Sequence, residues 1–101
     1  MSQVTVLIPT LRRPEGLTRA LRSVFAQDQA RELIAEVVVV DNSPEGSAEA
    51  TVDGLRPASP VPLIYVHEPQ PGVATARNAG LARSSAPYIA CLLYTSPSPR
   101  D

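Results

Sequence analysis

The sequence predicts an α/β fold in which helices cover a mainly parallel sheet. Two apolar runs of strand length, residues 4–8 and 37–40, are too continuously hydrophobic for a sheet with one wet face. Between them lies a segment with helical spacing, and turn-forming residues close each run.

The first run, Val4, Thr5, Val6, Leu7 and Ile8, is rich in β-branched residues and is stopped by Pro9, as a strand buried on both faces should be. Leu17, Leu21, Val24 and Phe25 then recur at helical spacing, while Arg19 and Arg22 fall on other faces. Pro14 sits where a first helical turn accepts proline. Four consecutive valines, residues 37–40, make the second strand, and Asp41-Asn42-Ser43-Pro44-Glu45-Gly46 is dense turn chemistry. A strand, helix, strand unit of this length implies a parallel pair joined by a crossover.

A short helix is expected over residues 47–56, begun by a serine cap at Ser47 and weakened near its end by Gly54. Pro57, Pro60 and Pro62 mark a loop, and residues 63–66 read as a third strand running into His67-Glu68. After the turn Pro69-Gln70-Pro71-Gly72, residues 73–84 read as a helix of small residues, in which Gly80 permits close packing. Tyr88, Ile89 and Ala90 begin a fourth strand.

Composition removes several classes of function. The 101 residues carry 44% hydrophobic and 19% charged side chains, a globular mixture, and the net charge of -1 leaves no basic excess for a nucleic-acid backbone. No nucleic-acid partner is therefore expected. One cysteine and one histidine exclude an internal disulfide and a conventional zinc site. The N-terminus has neither the basic flank nor the hydrophobic length of a signal peptide or membrane span. The expected location is the cytoplasm, with the cytoplasmic membrane face open to a longer protein.

The last eleven residues, 91–101, change character abruptly. Cys-Leu-Leu-Tyr-Thr-Ser-Pro-Ser-Pro-Arg-Asp resembles, residue for residue, the translation of a transposase-type sequencing adapter. The expected organisation is thus one truncated domain over residues 1–90, followed by a non-native tail over 91–101. Asp101 and the tail hydroxyls receive no functional reading.

In open parallel sheets, ligands bind beyond the carboxyl ends of the strands. Three segments fall there. Pro9-Thr10-Leu11-Arg12-Arg13 offers a hydroxyl, backbone groups and guanidinium donors. Asp41-Asn42-Ser43 offers a carboxylate that can accept from a base N–H or a ribose hydroxyl. Gly72 through Asn78 is a turn entering a helix, where free N–H groups favour negative charge. Singly, each has an ordinary alternative. Asp41 is a common turn former, Arg12 and Arg13 suit a solvated loop, Arg77 and Asn78 can pair within their helix, and His67 suits a strand end.

In combination the ordered motifs carry more. Residues 4–10, the Leu17/Leu21/Ser23/Val24/Gln27 helix, Val37-Val38-Val39-Val40-Asp41-Asn42-Ser43, and residues 71–81 together resemble the N-terminal region of family 2 glycosyltransferases, over nearly all of residues 3–90. The resemblance implies a partial GT-A (Rossmann-like) nucleotide-binding fold. Pro9 and Thr10 would line the nucleotide site, Asp41 would contact the base, and Arg77 and Asn78 would shape the adjoining loop and helix. Arg12 stands where the family commonly has Asn, and is retained as a nucleotide-binding candidate.

The same resemblance implies a UDP-, GDP- or dTDP-sugar donor, a carbohydrate or lipid-linked acceptor, and a role in polysaccharide or cell-envelope biosynthesis. It also implies Mg²⁺ or Mn²⁺, held by an acidic motif that the family places after the strand beginning at Tyr88. There the adapter-like tail begins instead, so neither metal ligands nor catalytic residues are expected in this chain, and it is expected to be inactive. The competing enzyme classes lack their motifs. Residues 9–14 contain no glycine for a dinucleotide-binding turn, and the chain has no lysine for a P-loop. From another class, the alternative is a non-catalytic α/β binding or interaction module.

Overall fold

The computed structural model describes residues 3–11, 14–27, 30–70 and 72–91, the side chains of Ala30, Arg31 and Val73 aside. Four strands, β1 (Val4–Thr10), β2 (Ile34–Asp41), β3 (Leu63–His67) and β4 (Tyr88–Cys91), form one sheet in the order β3-β2-β1-β4. Every pairing is parallel. The α/β class and the mainly parallel sheet expected from the sequence are both present.

The connecting helices are α1 (Pro14–Phe25), α2 (Ala30–Leu33), α3 (Glu49–Leu55) and α4 (Val73–Arg83). Side-chain alternation along the strands divides the core in two. Val6, Ile8, Val37, Val39 and Leu63 face one way and meet Leu17, Leu21 and Val24 of α1 and Val52 and Leu55 of α3. Leu7, Val38 and Val40 face the other way and meet Ala76 of α4, with Ile64, Val66 and Ala79 packed around them. Both faces of β1 and β2 are thereby covered, which explains why residues 37–40 are valine without alternation.

Helix α4 can lie close to the sheet because position 80 has no side chain. A Cβ there would stand 2.0 Å from Leu7 Cδ1 and 3.0 Å from Val40 Cγ2. Gly80 thus has the packing role expected of it.

The structure revises the sequence expectations at several places. Strand β1 is not stopped by Pro9 but runs through it to Thr10, with Pro9 opposite Val40 and Thr10 opposite Asp41 in the register with β2. Strand β2 starts three residues earlier than the valine run, at Ile34, and two short elements are added, α2 just before β2 and the 3-10 turn Arg56–Ala58 at the start of the proline-punctuated stretch. Helix α3 begins with Ala48 as its cap residue, without a side-chain cap, so Ser47 does not serve as one. Its role passes to the preceding loop, where Asp41 Oδ2 accepts from Ala48 N at 2.8 Å and Ser43 Oγ accepts from Ser47 N at 2.9 Å. The carboxylate at the end of β2 competes successfully with a local serine because the turn folds back upon it.

At the amino end of the sheet, Glu36 is buried across from Thr5. Its Oε2 accepts from Thr5 Oγ1 at 2.8 Å, from Ser85 N at 2.8 Å and from Ser85 Oγ at 3.2 Å, while Ser84 Oγ donates to Thr5 Oγ1 at 3.1 Å. This cluster fastens the connection between α4 and β4 to the middle of the sheet. Glu36→Ala would strand those donors and is expected to lower the unfolding free energy by about 2 kcal/mol. A urea titration would measure the loss, and Glu36→Gln, which keeps an acceptor oxygen, should lose less. Among the described residues, no helix is long and apolar enough to cross a membrane.

Candidate functional site

Strand order reverses at β1. The chain steps outward through β2 and β3, then returns to the other side of β1 as β4. Such reversal points open a crevice at the carboxyl ends of the strands. The same end gathers Thr10 of β1, Asp41 of β2 and His67 of β3, which are register partners in one row across the sheet.

Pro9 is half-buried and Thr10 is buried, so both strand-end candidates sit in the sheet with their side chains largely enclosed. Leu11 follows as an exposed bend residue. Arg12, with Arg13 and Pro71, lies outside the described residues. Arg77 and Asn78 are exposed in α4. They lie four and five residues beyond Val73, about 6–8 Å along the axis from a helix start that follows β3 at the carboxyl end of the sheet. The structure thus brings Pro9, Thr10 and Asp41 to one end of the sheet and sets Arg77 and Asn78 on the helix that rises from it.

Asp41 is fully buried, and its carboxylate is saturated. Oδ1 accepts from Ser43 N at 3.0 Å and Ser43 Oγ at 2.7 Å; Oδ2 accepts from Ala48 N at 2.8 Å and Tyr65 Oη at 2.7 Å. Four donors fill the four lone-pair sites of an ionised carboxyl group. Burial pushes the Asp41 carboxyl up, but the hydrogen bonds from Ser43, Tyr65 and Ala48 outweigh it, so the group titrates below the ordinary aspartate range. Burial and then the Asp41 carboxylate push the Tyr65 phenol in the opposite direction, upward. In this arrangement Asp41 orders the loop between β2 and α3. A base N–H could reach the carboxylate only by displacing one of these donors.

The neighbouring Asn42, whose residue type in a turn carries no distinguishing signal in the sequence, has the more connected position. Its backbone N donates to Thr10 O at 2.8 Å, and its Nδ2 donates to Glu68 O at 2.7 Å and Gln70 O at 2.6 Å. Tyr65 was also missed as a partner. Its period-2 spacing from Leu63 places both on the α3 side, a signal that the strand pattern contains once β3 is aligned with β2. The His67 ring donates from Nε2 to Ser43 O at 2.7 Å, in keeping with a strand-end structural role. Among the described residues no three His, Cys, Asp or Glu side chains come together as a metal-holding group.

A doubly wound α/β unit, with its loops and a helix N-terminus gathered at a strand-order reversal, defines the class of fold as Rossmann-like. Residues 5–92 match the family described as Glycosyl transferase family 2, and the chain belongs to that family. It is also 39% identical over 89 residues to the succinoglycan biosynthesis protein ExoM of Rhizobium meliloti (strain 1021). That similarity covers 88% of this chain and 28% of the relative, so the chain spans well under a third of the length of the protein it matches. The sheet and its flanking helices accord with part of a GT-A-type fold, the fold expected from the resemblance.

Proposed function

We propose that residues 1–90 are the nucleotide-sugar-binding part of a glycosyltransferase, and that residues 91–101 are a non-native tail. The observation that carries the reading is the placement of the three candidate segments at one end of a sheet whose order reverses at β1, in a chain of family 2. The donor would be a UDP-, GDP- or dTDP-sugar. Its diphosphate would lie toward the start of α4, where unpaired helix N–H groups favour negative charge, and Arg12, Arg77 and Asn78 would border it. Pro9 and Thr10 would line the nucleotide, with the Asp41 loop beside its base.

The complete protein would transfer the sugar to a carbohydrate or lipid-linked acceptor hydroxyl with inversion, in polysaccharide synthesis of the kind named for the Rhizobium relative. In the complete protein, carboxylates expected after the strand that begins at Tyr88, and not part of this chain, would hold Mg²⁺ or Mn²⁺, which would supply charge neutralisation at the leaving diphosphate. The complete protein would work in the cytoplasm or at the cytoplasmic face of the membrane. The 101-residue chain alone would transfer no sugar.

Calorimetric titration of UDP, GDP and dTDP into the chain, paired with a transfer assay, tests this reading. Binding of one nucleotide without transfer is the expected result. The gene should also continue past codon 90 into an acidic pair. A genuine stop at codon 101, with no nucleotide bound, would instead leave a non-catalytic binding module.

A further inference from the structure

We infer that Asn42 is a positioning residue that clamps the loop between β3 and α4 to the end of β2, and so sets where α4 begins. The inference rests on the nucleotide reading above, because α4 is the helix whose first turn would face the diphosphate.

Both hydrogens of the Asn42 amide are spent on carbonyls of one loop, Glu68 O at 2.7 Å and Gln70 O at 2.6 Å. The same residue's backbone N donates to Thr10 O at 2.8 Å. One side chain therefore joins the ends of β1 and β2 to the segment that leaves β3. The grip is reinforced from within the loop, since Glu68 N donates to Asp41 O at 2.8 Å and Gln70 N donates to Glu68 Oε2 at 3.1 Å. It ends two residues before Gly72, whose φ of 121° turns the chain into α4.

The residue type follows from this geometry. A bridge between two carbonyls requires two N–H donors on one short arm, which asparagine supplies. Aspartate has the same shape but would set an anion against two carbonyl oxygens. Serine has one donor, and glutamine carries its amide one methylene further out. Asn42 acts through other groups: it fixes the loop, and the loop fixes the first turn of α4.

The test compares the 101-residue chain with Asn42→Asp and Asn42→Ala, the second variant removing the donors without adding charge. Hydrogen exchange is followed by mass spectrometry, and UDP, GDP and dTDP are titrated into each protein. The expected result is exchange about tenfold faster over residues 68–76, with residues 5–8 and 37–40 unchanged, as the loss of two hydrogen bonds should produce locally. Affinity for whichever nucleotide the wild type binds should fall by a similar factor. Unchanged exchange over residues 68–76 in both variants would overturn the clamp. Loss of protection across the whole sheet in both would overturn it too, by making Asn42 a general stabiliser. If exchange rises but a bound nucleotide keeps its affinity, the positioning role is overturned. If the wild type binds no nucleotide, the donor reading fails by itself, and exchange alone decides whether the clamp exists.

Discussion

Asp41→Ala is expected to lower the unfolding free energy of the chain by about 3 kcal/mol, a loss readable in a urea or thermal titration. The truncation leaves the Ser43 amide and hydroxyl, the Ala48 amide and the Tyr65 hydroxyl without their shared acceptor. These donors lie in a region where Asp41 and Ser43 are fully buried and Ala48 nearly so, and water cannot easily replace the carboxylate. The same network makes stability depend on pH. Because the folded Asp41 carboxyl titrates below its ordinary range, the folded state binds a proton less readily than the unfolded chain, whose aspartates titrate near about 3.9. The contribution is complete above that value and is lost as pH falls through the folded pKa. Wild type should therefore weaken steadily below about pH 4. Asp41→Asn should show a shallower fall over the same range, since it has no proton to gain at that position. Parallel curves for the two proteins below pH 4 would refute the assignment of this pH dependence to Asp41.

Asp41 also illustrates how far the sequence could be read. Its place at the end of a buried strand was legible because four valines precede it and a turn follows. Its hydrogen-bond partners were not. Ser43 lies within the same turn, but Tyr65 is 24 residues away and becomes a neighbour only when β3 pairs with β2 in the observed register. A carboxylate available to a ligand and one fully occupied by protein donors look identical in a list of motifs. The distinction between Asp41 and Asn42 is likewise one of tertiary contact, because the partners of the Asn42 amide are backbone carbonyls and leave no residue-type signature. Glu36 was hidden for another reason. It precedes the valine run, and a charged residue at that position reads as the edge of a strand, whereas β2 begins at Ile34 and carries Glu36 into the interior. Strand existence, order along the chain and parallel pairing were accessible because burial on both faces writes a continuous apolar run. The return of β4 to the far side of β1 is not written in any local pattern, and it is this step that puts the strand-order reversal at β1.

Two glycines, both in helices, should respond in opposite directions to the same substitution. Gly80→Ala puts a methyl group where Leu7 Cδ1 would be 2.0 Å away and Leu7 Cγ and Val40 Cγ2 each 3.0 Å away. The end of a leucine side chain can often rotate aside, but Leu7 is wholly buried among Val38, Val40 and Ala76. With no space to take it, α4 must lift from the sheet, and overpacking should outweigh the gain in helix propensity. The expected net loss is about 2 kcal/mol, measured by denaturant titration. Gly54→Ala in α3 meets no atom within 4 Å and should instead stabilise by about 0.5–1 kcal/mol, since alanine has the less costly backbone entropy in a helix. Leu7→Val removes a methylene from the crowded contact, so the double variant Leu7→Val/Gly80→Ala should recover part of the loss, with a coupling of about 1 kcal/mol or more. Additive losses in that cycle would show that Gly80 is required for some reason other than its contact with Leu7. Because α4 also carries Arg77 and Asn78 and begins at the carboxyl end of the sheet, the nucleotide-binding reading proposed above predicts that lifting it weakens nucleotide binding together with stability, whereas Gly54→Ala leaves binding unchanged.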